Sequence, residues 1–455
     1  MGFDTFLRRK QPRWGVARGA GRQTAGMRRL IGWIGRFATV LLLRRVEVAG
    51  KSRLPKGRPV LVVANHFNGF VDPLVIATAL GRLPRFIAKA GLARIPIGGF
   101  LLRRAGVVFV HRPADRGGAG GNDDAFRECH QALVERDIVA IFPEGTTHDR
   151  PRMDPIKTGA ARIALGARAA GATGVVILPV GLTFPDKVAL RSSALVQIGT
   201  PIELDDAVAA GVGPRDQEAV HRLTAAIDQG LRDVSPDFPD IETALALEQA
   251  ARVALSDDDH PEPSLTERYA LARRLGRSTD EHQTTVRREI GRYTTMLTGL
   301  RLTDADVIHP TSPRRLLRSG IGIGILVAVL GGLVAATAIV NVWPALLVAL
   351  VSLLVKTPVS KGTARSIVGL LAFPTAWITA GVLGADGFLP VTLLVLTAAA
   401  GALAAIWLVE RAMALTHMLL RWQAQRERIG TVAWTEAVRA DVVTAVWAAV
   451  SVDDS

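Results

Sequence analysis

Between Ser319 and Val355 the chain carries no charged residue. About 20 apolar residues in a helix already cross the hydrocarbon of a bilayer. This run is too long for one span and long enough for two short ones turning near Asn341–Pro344. Ser366–Gly384 and Phe388–Val409 are two further apolar segments, separated at Asp386. The pattern predicts about four membrane-embedded helices in two hairpins within a membrane region of residues 311–411. Re-entrant hairpins and a buried helical core are the competing placements.

Arg314, Arg315 and Arg318 precede the first hairpin, Lys356, Lys361 and Arg365 lie between the two, and Arg411 and Arg421 follow. The connections at Asn341–Trp343 and Ala385–Gly387 carry no positive charge. Positively charged flanks stay on the cytoplasmic side. An even number of spans therefore predicts a multi-pass cytoplasmic-membrane protein with its catalytic region and C-terminus on the cytoplasmic face.

At 455 residues the chain is too long for one ordinary domain. A formal charge of +14 suits an anionic partner: nucleic acid, an anionic membrane face or a phosphorylated substrate. Aromatic residues are few and do not interleave with the arginines, which argues against a nucleic-acid stacking platform. The mean hydropathy of +0.26 favours the membrane instead. Cys129 is the only cysteine, so no intrachain disulfide can form. Its place in an expected helix, Asp123–Glu135, reads as a small buried hydrophobe rather than a nucleophile.

Residues 1–45 form a basic N-terminal segment. Trp33, Ile34, Phe37, Val40 and Leu41 have helical spacing, which suits an interfacial helix on an anionic bilayer or a helix packed on its own domain. Residues 46–205 alternate short apolar runs with helical stretches, the pattern of an α/β layer with a mixed, largely parallel sheet flanked by helices. Expected strands are Val60–Ala64, Phe86–Ala88, Val107–Val110, Val139–Phe142, Val175–Pro179 and Leu195–Ile198. Expected helices are Leu74–Leu80, Asp123–Glu135 and Gly159–Ala170. Residues 206–310 read as a charged, helical connecting region in which Ser256–Pro263 is an exposed linker and His260 is solvated. Residues 412–455 read as a helical tail.

The chemistry gathers where strands end. Val60–Pro73 reads VLVVANHFNGFVDP, so a valine-rich strand delivers Asn65 and His66 to a turn, with Asp72 just beyond. An imidazole accepts a proton near neutral pH, and does so better when a carboxylate fixes its tautomer. The same residues in isolation also fit a helix cap, with Asp72 and Pro73 as an N-terminal signal. Gly106–Asp115 ends a strand in His111 and Arg112, and a guanidinium there matches phosphate oxygens in pairs. Phe142–Thr147 reads FPEGTT, where glycine permits close backbone approach and Glu144 can accept hydrogen bonds. Lys157 stands beside a helix start near Gly159, which suits an anion. No residue spacing implies a metal or an organic cofactor.

Four stretches in this order, NHFNGFVD, GVVFVHR, FPEGT and ILPVGL, resemble the four blocks of the glycerolipid acyltransferases, the family of glycerol-3-phosphate and lysophosphatidic acid acyltransferases. The resemblance covers about residues 46–205. It implies His66 as general base, Asp72 as its orienting partner and Arg112 as a phosphate ligand. It also implies Glu144, Gly145 and Thr146 at the acceptor site, Pro179 in a nearby wall, and Asn65 holding the turn. Lys89, in FIAKAG, and Lys157 are further candidates for phosphate or CoA. Five residues separate His66 from Asp72, where the commonest family pattern has four. The longer spacing is similar to that of a branch with fungal glycerol-3-phosphate/dihydroxyacetone-phosphate acyltransferases, whose members also carry hydrophobic helices after this domain.

The resemblance therefore implies acyl transfer from acyl-CoA or acyl carrier protein to glycerol 3-phosphate or a lysophospholipid such as lysophosphatidic acid, at a membrane. A lipid hydrolase using the same base, and a noncatalytic phospholipid-binding module, are the alternatives.

Overall fold

The computed structural model describes residues 20–111, 122–186, 189, 191–209, 211–260, 262–427 and 432–451. The first part contains α1 (Ala20–Leu42), β1 (Arg45–Ala49), β2 (Val60–Ala64), α2 (Val71–Leu80), β3 (Arg85–Lys89), α3 (Pro96–Ala105), β4 (Val108–Val110), α4 (Asp123–Val134), β5 (Ile138–Ile141), α5 (Gly159–Ala169), β6 (Val176–Thr183), β7 (Ser193–Ile198), β8 (Ile202–Glu203), α6 (Leu204–Ala207) and α7 (Gln217–Arg232). The strands lie in the order β1-β7-β6-β2-β5-β3-β4, with β8 on β6. Strands β2 to β6 run parallel, while β7 and β8 are antiparallel to β6.

Strand β2 is central, and all five of its residues are buried. Alternation along the strand splits them between two cores. Leu61 and Val63 pack with α4, α5 and α7, and Val60, Val62 and Ala64 pack with α2. A strand covered on both faces needs apolar residues throughout, which is why VLVVA reads as a continuous run. The first core takes in Ala219, Val220, Leu223, Ile227 and Leu231 of α7, so its packing continues past residue 205.

Strand β6 runs through Pro179 instead of ending there. Proline lacks a ladder donor, and β6 accommodates it where its neighbour changes. Val176 and Ile177 pair with β8, Val180 onward pairs with β7, and the Pro179 carbonyl between them accepts from Gly199 N at 2.9 Å. The proline ring packs beside Gly199 and Gly230.

Helix α1 has two faces. Ala38, Thr39 and Leu43 beyond its end are buried, and Thr39 Oγ1 meets Thr78 Oγ1 of α2 at 3.1 Å. Leu30, Trp33, Ile34, Phe37 and Val40 remain exposed. Cys129 is buried in α4, and burial pushes its thiol up to about 12. His260 is exposed.

Next come α8 (Ile241–Leu255), α9 (Leu265–Arg277), α10 (Asp280–Leu300), α11 (Asp304–Ile308), α12 (Pro313–Leu354), α13 (Pro358–Gly384), α14 (Phe388–Glu427) and α15 (Val432–Ser451). Helices α8, α9 and α10 share a separate core with α15, which returns Val438, Val442 and Val446 to it. Among the described residues, three helices are long and apolar enough to cross a membrane, not four. The expected loop at Asn341–Pro344 is absent, because α12 is helical through it. Asn341 there makes interhelical bonds: its Nδ2 donates to Ala398 O at 3.0 Å, and its Oδ1 accepts from Trp377 Nε1 at 2.8 Å.

A Cβ on Gly401 of α14 would collide with Thr337, so with Asn341–Ala398 the helices α12 and α14 run antiparallel. Gly369 beside Val348, together with Trp377 on Asn341, sets α13 antiparallel to the end of α12. Gly381 beside Val391 makes α13 and α14 antiparallel too. Pro344 lies inside α12, where a proline removes one backbone hydrogen bond. The two ends of the apolar region meet: Thr311 N donates to Gln425 Oε1 at 3.0 Å, and Arg421 pairs with Asp306 at 3.4 Å.

Candidate active site

The carboxyl ends of parallel strands are where α/β sheets bind ligands, and β2 ends in the His66 turn. Asn65 fixes this turn to β6: its Nδ2 donates to Leu182 O at 2.9 Å, and Leu182 N donates to its Oδ1 at 2.7 Å. Asp72 lies in the first turn of α2, which starts three residues before the expected Leu74. Its carboxylate is fully buried, and Oδ2 lies 2.9 Å from His66 Nδ1 while accepting Phe67 N and Asn68 N, each at 2.7 Å. Oδ1 has no hydrogen-bond partner. With Nδ1–H donated to Asp72, the lone pair of His66 resides on Nε2, the nitrogen that can take a proton.

Asn68 organises the loop between the two. Its Oδ1 accepts from Phe70 N at 3.0 Å and Val71 N at 3.1 Å, and its carbonyl accepts from Asp72 N at 3.2 Å. Thr363 of α13 donates to the same Oδ1 at 3.0 Å. The His66 ring stacks on Phe142, at the end of β5, with centroids 3.9 Å apart, and Phe142 in turn stacks on Phe86 of β3.

Glu144 ties the third block, FPEGT, to the first. Its Oε1 accepts from His66 N at 3.0 Å, and its Oε2 takes His148 Nε2 at 2.6 Å and Asp154 N at 2.8 Å. The His148 side chain is 9% exposed. Glu144, His148 and Asp154 hold ligating atoms close enough for a cation. Glu144 Oε2 is engaged by His148 Nε2 and by Asp154 N, and the Asp154 carboxylate pairs with Arg150 at 2.5 Å, while His148 Nδ1 is buried without a hydrogen-bond partner among the described residues.

Gly145 adopts φ +73°, a conformation that favours glycine, and its N–H closes a turn onto Phe142 O at 3.0 Å. A Cβ there would lie 2.7 Å from Lys157 Nζ, so the ammonium sits directly over the glycine. Lys157 precedes α5, whose first amides point the same way as any helix N-terminus. Thr146 and Lys157 are exposed at this rim. Lys89 is exposed at the end of β3, on the same edge of the sheet but beyond β5. Arg112 lies outside the described residues. Pro179 packs beside Gly199 and Gly230, and no contact places it against His66.

Sequence reasoning thus assembled His66, Asp72, Asn65, Glu144 and Gly145, which the structure brings together. It missed Phe142 as the ring beneath His66, His148 and Thr363. His148 stood in view four residues after Glu144; Thr363 lay in the connection between the hairpins, read only for its positive charges.

The Acyltransferase family profile matches residues 45–183. Those residues are similar to an acyltransferase domain. Over 133 residues the chain is 35% identical to glycerol-3-phosphate O-acyltransferase 2 of Saccharomyces cerevisiae, covering 29% of this chain and 18% of that protein. It is 31% identical over 204 residues to the lyso-ornithine lipid O-acyltransferase of Rhizobium meliloti, covering 45% of this chain and 63% of that one. It is 34% identical over 125 residues to the human 1-acyl-sn-glycerol-3-phosphate acyltransferase alpha, covering 27% of this chain and 42% of that one. The matches therefore span less than two thirds of these relatives. The crystal structure of the 1-acyl-sn-glycerophosphate acyltransferase of Thermotoga maritima is a distant likeness, at 22% identity and a TM-score of 0.36 over 48% of this chain and 83% of that one. Within this domain His66, Glu144 and Gly145 follow the carboxyl ends of β2 and β5.

Proposed function

We propose that this chain is a membrane-bound O-acyltransferase. It moves a fatty acyl group from acyl-CoA or acyl carrier protein to a hydroxyl of glycerol 3-phosphate or a lysophospholipid such as lysophosphatidic acid, in phospholipid synthesis. The observation that carries this reading is His66 held by Asp72 through Nδ1, on a loop tied by Glu144 to the FPEGT turn.

His66 Nε2 removes the acceptor hydroxyl proton as the oxygen attacks the thioester carbonyl. An ester C–O bond forms, the C–S bond breaks, and the departing thiolate takes the proton back from the imidazolium. Asp72 holds the ring and stabilises the imidazolium. Lys157 over Gly145 offers an anionic acceptor a cation and a bare backbone edge. The apolar helices keep the protein where acyl chains reside. The positive field of the chain draws in both anionic lipid and phosphorylated acceptor.

The names of the relatives offer three acceptors: glycerol 3-phosphate, a 1-acylglycerol 3-phosphate and a lyso-ornithine lipid. The lysine position supports a phosphorylated one. Membranes containing the full chain, given labelled acyl-CoA and each acceptor separately, should form product with glycerol 3-phosphate or lysophosphatidic acid. Product with lyso-ornithine lipid alone would overturn the phosphate preference, and acyl release without any acceptor would mark a hydrolase.

A further inference from the structure

Asn68 is the residue through which the catalytic loop is built. Its backbone N–H bonds Asp72 Oδ2, its carbonyl accepts Asp72 N, and its side chain caps the start of α2. The remaining group on that side chain is the hydroxyl of Thr363, contributed by α13 from outside the acyltransferase domain. A second attachment lies elsewhere: Arg191, in the left-handed conformation at φ 55°, donates to Val40 O and Leu41 O of α1 and pairs with Glu410 of α14 at 2.6 Å. Among the described residues the apolar helices therefore bond the domain through both Thr363 and Glu410, and of these two it is Thr363 that touches the loop carrying His66 and Asp72.

We propose that Thr363 is a positioning residue for catalysis: its hydroxyl holds α13 against Asn68, so that the apolar helices complete the catalytic loop of the acyltransferase domain. The inference rests on the reading of His66 as the base. Its physical basis is the order of bonds. Asn68 Oδ1 keeps both backbone donors when Thr363 loses its hydroxyl, so the cap of α2 survives, whereas the link between loop and helix is lost. One neutral hydrogen bond contributes about 1 kcal/mol, which corresponds to roughly a fivefold change in rate if it is felt in the transition state.

The test uses the full chain in lipid vesicles with labelled acyl-CoA and the acceptor that the wild type uses. Thr363→Val keeps the shape of the side chain and removes the donor. It is expected to lower kcat about fivefold with KM for the acceptor little changed, and Thr363→Ser is expected to restore kcat. Arg191→Gln loosens the other attachment; it is expected to lower the melting temperature without this kcat effect. Wild-type kcat in Thr363→Val, no recovery in Thr363→Ser, or an equal kcat loss in Arg191→Gln would each overturn the proposal. An inactive wild type, or full activity in His66→Ala, would instead overturn the reading of the site, so the two failures are distinguishable.

Discussion

In β2 every residue from Val60 to Ala64 is buried between two layers of helices, whereas on α12 Ile321, Ile325, Val329 and Ile339 are exposed, and only Thr337 and Pro344 are buried. Both segments are built from aliphatic residues. In the first the protein itself removes them from water; in the second it leaves that task to another apolar phase. The buried segment can therefore end in a rigid polar turn, because its strand is fixed from both faces. The exposed helices contribute through a few polar ties: Asn341 between helices, Thr363 and Glu410 to the catalytic domain.

The largest expected effect separates the two regions by function. His66→Ala should reduce acyl transfer by about 10²–10⁴-fold, the usual contribution of a general base, while leaving the melting temperature within a few degrees of wild type. Asp72→Asn removes the charge that accepts three donors and should also reduce turnover strongly; equal activity in the two variants and the wild type would break the assignment of chemistry to the β2 turn.

Packing gives the next contrast. Leu61→Ala, in the core beneath the dyad, should destabilise the protein by about 2–5 kcal/mol. Ile339, 84% exposed, should tolerate the same change within about 0.5 kcal/mol in detergent. Thermal unfolding of both in one detergent checks this, and a large loss at Ile339 would show that α12 is packed against protein there. Between these in sequence lies Glu144→Gln. It weakens the His148 bond and the anchor of His66 N, and bonds to charged groups contribute about 1.5–3 kcal/mol. The expected result is lower kcat together with lower stability.

The smallest effect concerns the attachment of α1. Burial raises the Asp137 carboxyl, but bonds from Arg28 on α1 and Arg85 on β3 outweigh it and bring the group below its ordinary 3.8. A lowered folded value stabilises above the unfolded one and is lost as pH falls through the folded value. The difference in melting temperature between wild type and Asp137→Asn should therefore be full at neutral pH and shrink below about 3.8. A difference independent of pH would show that the loss is one of packing rather than charge.

The parts of this fold that were legible in the sequence are those where one physical demand dominates. Val60–Ala64 had to be apolar throughout because it is covered on both faces, and it is found with those bounds. His66 and Glu144 stand just beyond the ends of β2 and β5, and Asp72 stands in the first turn of the helix that follows β2. Strand β1, RVEVA, went unread because it is a short, partly exposed edge with charges in it. Helix α3 begins PIGG, and its glycines masked the helical signal. Asn341 and Pro344 looked like a turn, since both residues favour turns; in the structure the asparagine bonds the neighbouring helices and α12 continues through the proline. Thr363 could not be found at all from its neighbours, because its partner, Asn68, is distant in the chain.

The central claim is that the His66–Asp72 pair performs acyl transfer. The most direct test is initial-rate transfer from labelled acyl-CoA in vesicles containing equal amounts of folded wild-type and His66→Ala protein, with glycerol 3-phosphate and lysophosphatidic acid offered separately. Product formed by the wild type with one acceptor, and lost at least 100-fold in His66→Ala, is the expected result. Transfer that survives the loss of His66 would contradict it.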